Sequence, residues 1–172
     1  MAWSLGVLDA LAYVAAAGDS HISGLVLVDN SIGEDPPPTP PARARGPRLP
    51  RAKAMQAFVG GMFHTRQSQA YLDALTRSCL RVPPAVARAL LSYPVPRTYW
   101  RDAVYSTGKP VLYVIRQRWM GQAQNLVRKH RSAEMVLFTG AGHALFVDQP
   151  ERFDAVLADF IGRKVWTGGN SQ

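Results

Sequence analysis

One cysteine, Cys79, in 172 residues leaves no internal disulfide to form and provides neither a paired-cysteine redox motif nor a zinc-ligand spacing. A lone thiol of this kind reads as a small hydrophobe on a helix. No apolar run is long enough to cross a bilayer, and Met1 is not followed by the basic start, apolar stretch and small-residue site of a secretory leader. A cytosolic location is the expectation. Charge is sparse at 19%, and acidic charge most of all, with 12 Asp and Glu against 20 Lys and Arg for a net +8. A basic balance invites a nucleic-acid reading. Much of the excess, however, lies between Arg43 and Lys53, and the rest is scattered over helices without interleaved aromatics. A solvated surface explains it, and no nucleic-acid partner is expected.

What is present is an ordinary globular composition, 47% hydrophobic, with no internal repeat. Leu5 to Ala17 reads as a helix, since Leu8, Leu11, Ala12 and Ala15 recur at helical spacing and Gly18 stops the run. Ile22 to Val28 reads as a strand buried on both faces, with Asp29 at its C-terminal end. From Gly33 to Pro50 prolines and arginines exclude regular hydrogen-bonded structure. Helical segments follow at about Lys53 to Phe63, Gln67 to Leu80, Pro84 to Ser92 and Thr98 to Tyr105. After Gly108 the pattern alternates again: strand Val111 to Ile115, helix Met120 to His130, strand Met135 to Phe138 and helix Pro150 to Ile161. The expectation is an α/β fold with a parallel sheet of three strands. Residues 1–32 and 108–165 would form the core, residues 33–107 a Pro-rich loop and helical cap, and residues 166–172 a frayed tail.

Two places carry chemistry. Ala2-Trp3-Ser4-Leu5-Gly6 opens a helix, and small residues flanking a serine let the backbone bend sharply and present the hydroxyl above the strand ends. The bland reading is a serine N-cap. Near the far end, Gly140-Ala141-Gly142-His143 follows a strand, where a histidine on a Gly-rich turn is free to approach that serine. His21, His64 and His130 read as loop or helix surface. Trp3 is expected to pack beside the turn, while Phe58, Phe63, Tyr99 and Trp100 read as cap core. Asp148 reads as helping to start the last helix.

With Trp3-Ser4-Leu5-Gly6 early and Gly142-His143 followed by Gln149-Pro150-Glu151-Arg152-Phe153 late, the sequence resembles the α/β-hydrolase superfamily. The resemblance implies that Ser4 attacks an acyl carbonyl, that His143 moves the proton, and that the Leu5 N–H supplies one oxyanion donor. It implies a small-molecule ester or related acyl substrate, with no metal and no organic cofactor. The acid is left open. The strand Val111 to Ile115 is followed by Arg116 to Ala123 without a carboxylate. Asp29 is the first candidate, a position used by some relatives, including certain haloalkane dehalogenases. Asp102 is the second, with Glu34 and Asp35 behind. Because the serine turn falls at residue 4, the chain reads as starting in mid-fold, with no strand to hold that turn. The alternative to a hydrolase is a catalytically silent fragment or binding module of the same fold.

Overall fold

Four parallel strands lie side by side in sequence order: β1 (Ala2–Trp3), β2 (Leu25–Val28), β3 (Val111–Ile115) and β4 (Ala133–Leu137). They come from a computed structural model that describes residues 1–39 and 49–166. Every residue of β2 and β3 is buried, as their unbroken Leu-Val-Leu-Val and Val-Leu-Tyr-Val-Ile runs require of strands covered on both faces. On one face Leu25, Leu27, Val111 and Tyr113 pack against α1 (Gly6–Ala17), α5 (Thr98–Ser106) and α6 (Met120–Lys129). On the other, Val26, Val28, Leu112 and Val114 meet Leu145 of α7 (Leu145–Asp148) and Phe153 and Phe160 of α8 (Pro150–Phe160). The fold is a parallel α/β sheet sandwiched between helices.

The strand count is four, against an expected three. Ala2 and Trp3 pair with Leu27 and Val28, and the Ser4 N–H continues the ladder to the Val28 carbonyl at 3.0 Å. The serine turn therefore does have a strand holding it. Two residues are too few to show a strand period in sequence. β2 is shorter than expected: Ile22 closes a turn with its N–H on the Asp19 carbonyl, and the strand begins only at Leu25.

Helix α1 buries Val7, Leu11 and Val14 and ends at Gly18, whose φ of 72° and N–H bond to the Val14 carbonyl close the last turn. Helix α5 is a further correction. Instead of joining the helical insertion, it lays Trp100, Ala103 and Val104 beneath α1 in the core, because that i, i+3, i+4 stripe finds its apolar partner there. The insertion comprises α2 (Arg51–Gly60), α3 (Gln69–Arg81) and α4 (Pro84–Leu90). Only Val59 and Thr76 are buried in it, so it forms an outer layer. Part of the Pro-rich stretch, residues 40–48, and the tail from 167 to 172 lie outside the described residues. His130 is buried and not at the surface: its Nε2 lies 2.9 Å from the Thr107 carbonyl, and its Nδ1 accepts the Ser132 N–H. No helix among the described residues is long and apolar enough to cross a membrane.

Candidate active site

Ser4 sits between β1 and α1 with φ of 55°, a left-handed conformation costing a non-glycine residue roughly 1 kcal/mol. Three bonds hold it there. Its N–H reaches Val28, its carbonyl accepts the Val7 N–H at 3.0 Å, and the same carbonyl accepts the Asn30 side-chain amide at 2.8 Å. A Cβ on Gly6 would stand 3.9 Å from that of Ala2, so alanine at the first position of the turn fits without displacement. The N-cap of α1 is Leu5 and not Ser4; the Ser4 hydroxyl is engaged elsewhere. It lies 2.8 Å from His143 Nε2, which excludes the N-cap reading.

The loop after β4 delivers His143. Gly140 bends it with φ of 68°, and Gly142 presses it against the turn after α2, where a Cβ would stand 2.7 Å from the Phe63 carbonyl carbon. The Trp3 indole N–H bonds the His143 carbonyl at 2.8 Å, and its ring lies against the imidazole at 5.0 Å between centroids. His143 Nδ1 is 2.7 Å from Asp29 Oδ2. Asp29 closes β2 with φ of 50°, its N–H bonded to the Val114 carbonyl. Its side chain is wholly buried, and Arg116 answers it twice, through Nε on Oδ2 at 2.7 Å and through the backbone N–H on Oδ1 at 3.2 Å. A buried carboxylate persists only with such partners. The place after β3 that lacks a carboxylate thus supplies the cation that holds one from β2.

The other candidate acids point elsewhere. Asp102 is exposed and pairs with Arg101, while Asp35 pairs with Arg97. Glu34 is buried but bonds the Tyr105 hydroxyl and, at 3.0 Å, Lys129 Nζ. Of the candidates, only Asp29 contacts His143.

Several residues at the site carried no sequence signal. The Tyr113 hydroxyl donates to the Asn30 carbonyl at 2.6 Å, fixing the turn from which Asn30 reaches Ser4. Burial of this phenol raises its pKa well above 10, so it stays a donor. Asp148 neither starts the final helix nor faces His143. Its carboxylate accepts the Gly142 N–H at 2.6 Å, the His64 and Thr65 N–H groups at 2.8 and 2.9 Å, and the Thr65 hydroxyl. Burial works to raise its pKa, but the bonds from Thr65, His64 and Gly142 outweigh it and hold the carboxyl below its ordinary value. Together with the Ala144 N–H on the Met62 carbonyl at 2.9 Å, Asp148 ties the histidine loop to the turn between α2 and α3.

Two cavities flank the pair. One, about 390 Å³, has Ser4, His143, Asp29, Arg116 and Arg118 in its wall. The other, about 220 Å³ and almost wholly apolar, lies among Trp3, Met62, Phe63, Leu75, Cys79 and Phe146. Cys79 is therefore half-buried in a cavity wall, whereas Phe58 is exposed and Trp100 belongs to the core under α1. At the N-terminus of α1 the Leu5 N–H has no acceptor among the described residues. No group of three or more His, Cys, Asp or Glu among the described residues is placed to hold a metal.

No curated protein matches the chain. Among solved structures it is similar to one described as an aryl esterase from Burkholderia cenocepacia, at 25% identity and a TM-score of 0.73 over 93% of this chain and 62% of that one. The esterase RhEst1 from Rhodococcus sp. ECU1013 matches at 21% identity and 0.71, over 95% of this chain and 64% of that one. A bromoperoxidase from Bacillus anthracis matches at 15% and 0.71, over 94% and 66%. The chain thus spans a little under two thirds of the length of each. The model of the alpha/beta hydrolase family matches residues 1–156, and the chain belongs to that family.

Proposed function

We propose that Ser4, His143 and Asp29 form the catalytic triad of a hydrolase acting on carboxylic esters or related acyl bonds. The observation that carries this reading is the continuous relay from Ser4 Oγ to His143 Nε2 at 2.8 Å and from His143 Nδ1 to Asp29 Oδ2 at 2.7 Å. In the tautomer with its proton on Nδ1, the imidazole presents a lone pair to the serine hydroxyl. Ser4 Oγ adds to the acyl carbon as its proton passes to His143 Nε2. The resulting oxyanion is met by the Leu5 N–H and the positive end of α1. Collapse breaks the bond to the leaving group, which takes the proton from His143, and water repeats the sequence on the acyl-serine. Asp29 keeps the ring in one orientation and stabilises the imidazolium. Helices α2 to α4 form a cap, and the apolar cavity beneath α2 and α3 receives the uncharged part of a small substrate.

A fluorophosphonate probe tests this reading. The folded chain should be labelled at Ser4, located by peptide mass spectrometry, and both S4A and H143A should abolish labelling. A folded chain that takes no label would favour the alternative, a binding module without catalysis.

A further inference from the structure

The larger cavity beside Ser4 is polar, and its charges do not balance. Among the described residues its wall contains two guanidinium groups, Arg116 and Arg118, and one carboxylate, Asp29. The Asp29 side chain is wholly buried and already bonded by Arg116 and His143. Its carboxylate is committed to those two partners. Arg116 uses Nε and its backbone N–H on Asp29, its side chain remains 26% exposed in the cavity wall, and its terminal amino groups make no bond among the described residues. Arg118 makes no ion pair among the described residues, and its guanidinium lies over the Trp119 ring at 4.5 Å. Trp119 is itself buried, which gives the cation a fixed base to stack on. The neighbouring apolar cavity has no charged side chain in its wall. Among the described residues, the cations thus line the cavity that contains Ser4 and not the apolar one.

We propose that this cavity binds an anionic group, a carboxylate, carried by the substrate and seated on Arg118 with the outer edge of Arg116. The substrate class is then an acyl compound with a carboxylate a few bonds from the scissile carbonyl. The position of that carbonyl rests on the proposed triad, whereas the anion site itself does not. A planar fork of donors with a partly shielded base suits a carboxylate. Exposure of Arg118 to solvent limits the gain to about tenfold and makes it sensitive to salt.

The test compares matched esters in the full chain. On the acyl side, mono-4-nitrophenyl glutarate is set against 4-nitrophenyl valerate. On the alcohol side, 4-acetoxybenzoate is set against its methyl ester. In at least one pair kcat/KM should favour the anion by about tenfold at low salt, and the preference should fall as sodium chloride is added. R118Q should bring the ratio close to one. R131Q removes a positive charge at the opposite end of the sheet, before β4, and should leave the ratio intact. No preference in either pair, or a preference that R118Q leaves unchanged, overturns the proposal. If no ester is cleaved and no fluorophosphonate label enters, the triad reading fails and binding decides the anion site. Followed by tryptophan fluorescence, 4-phenylbutanoate should then bind about tenfold tighter than 4-phenylbutanamide in the wild type and equally in R118Q. Equal binding in the wild type overturns it.

Discussion

Arg116 faces two demands. It neutralises Asp29, and it stands where the sequence offers no acid. With the Asp29 side chain wholly buried and that of Arg116 26% exposed, removing the cation strands a charge that keeps only His143 and one backbone N–H. The cost of breaking a fully buried pair is about 3–5 kcal/mol; with Arg116 partly in water, R116M should cost about 2 kcal/mol, read as a lower urea midpoint. D29N should recover part of that loss in the double variant, since the neutral amide no longer needs the cation. If R116M and D29N were simply additive, the pair would not be coupled. Ser4, Asp29 and His143 were legible in the sequence because a serine in a small-residue turn, an aspartate at a strand end and a histidine on a glycine turn are each local patterns. Arg116, Tyr113 and Asn30 were not. The bonds that give them meaning join residues 87, 83 and 26 positions apart, and no local pattern reports such a distance.

Among the elements, the histidine loop and the turn between α2 and α3 behave as one piece. Asp148 gathers four donors from both, and Gly142 lets the two backbones touch, since a Cβ there would stand 2.7 Å from the Phe63 carbonyl carbon and 2.8 Å from the His64 nitrogen. Backbone at that range cannot move aside as a side-chain tip can. G142A should therefore push the His143 loop from the α2–α3 turn, and D148N should loosen the same joint by weakening four acceptor bonds. Both should lower kcat on a neutral ester more than they raise KM, because the serine–histidine distance changes before the cavities do. Each should also speed proteolytic cutting near residues 62–66. A variant with slower turnover and an unchanged cutting rate would place the effect elsewhere. The long helices and the buried strands were readable from periodicity, to within a few residues. What periodicity missed was brief or contextual: a two-residue strand at Ala2–Trp3, and a helix, Thr98–Ser106, whose stripe is the same whether it faces a cap or a core.

Across the whole molecule, the scarce carboxylates are concentrated in ties between distant elements. Glu34, just after β2, bonds Tyr105 of α5 and Lys129 at the end of α6. Burial alone would raise its pKa, but bonds from Tyr105, the Asp35 N–H and Lys129 prevail and hold it below its ordinary value of 4.5. Burial and the bond to Glu34 raise the Tyr105 hydroxyl in turn, so it remains a donor at neutral pH. Bonds from Arg163 lower Glu134, joining β4 to the turn after α8, and Asp148 and Asp19 are further such groups. Each is more acidic in the folded chain than in the unfolded one. Its contribution to stability is therefore complete above the unfolded pKa, near 4 to 4.5, and is lost as pH falls through the lower folded value. The urea midpoint should stay level from about pH 7 to 5 and drop steeply below about pH 4. In E34Q the midpoint at neutral pH should be lower and the acid-side slope shallower, because one of these titrating ties has gone. A wild-type midpoint that declined already between pH 7 and 5 would mean that these carboxylates do not govern the acid loss, and a slope unchanged in E34Q would remove Glu34 from the account.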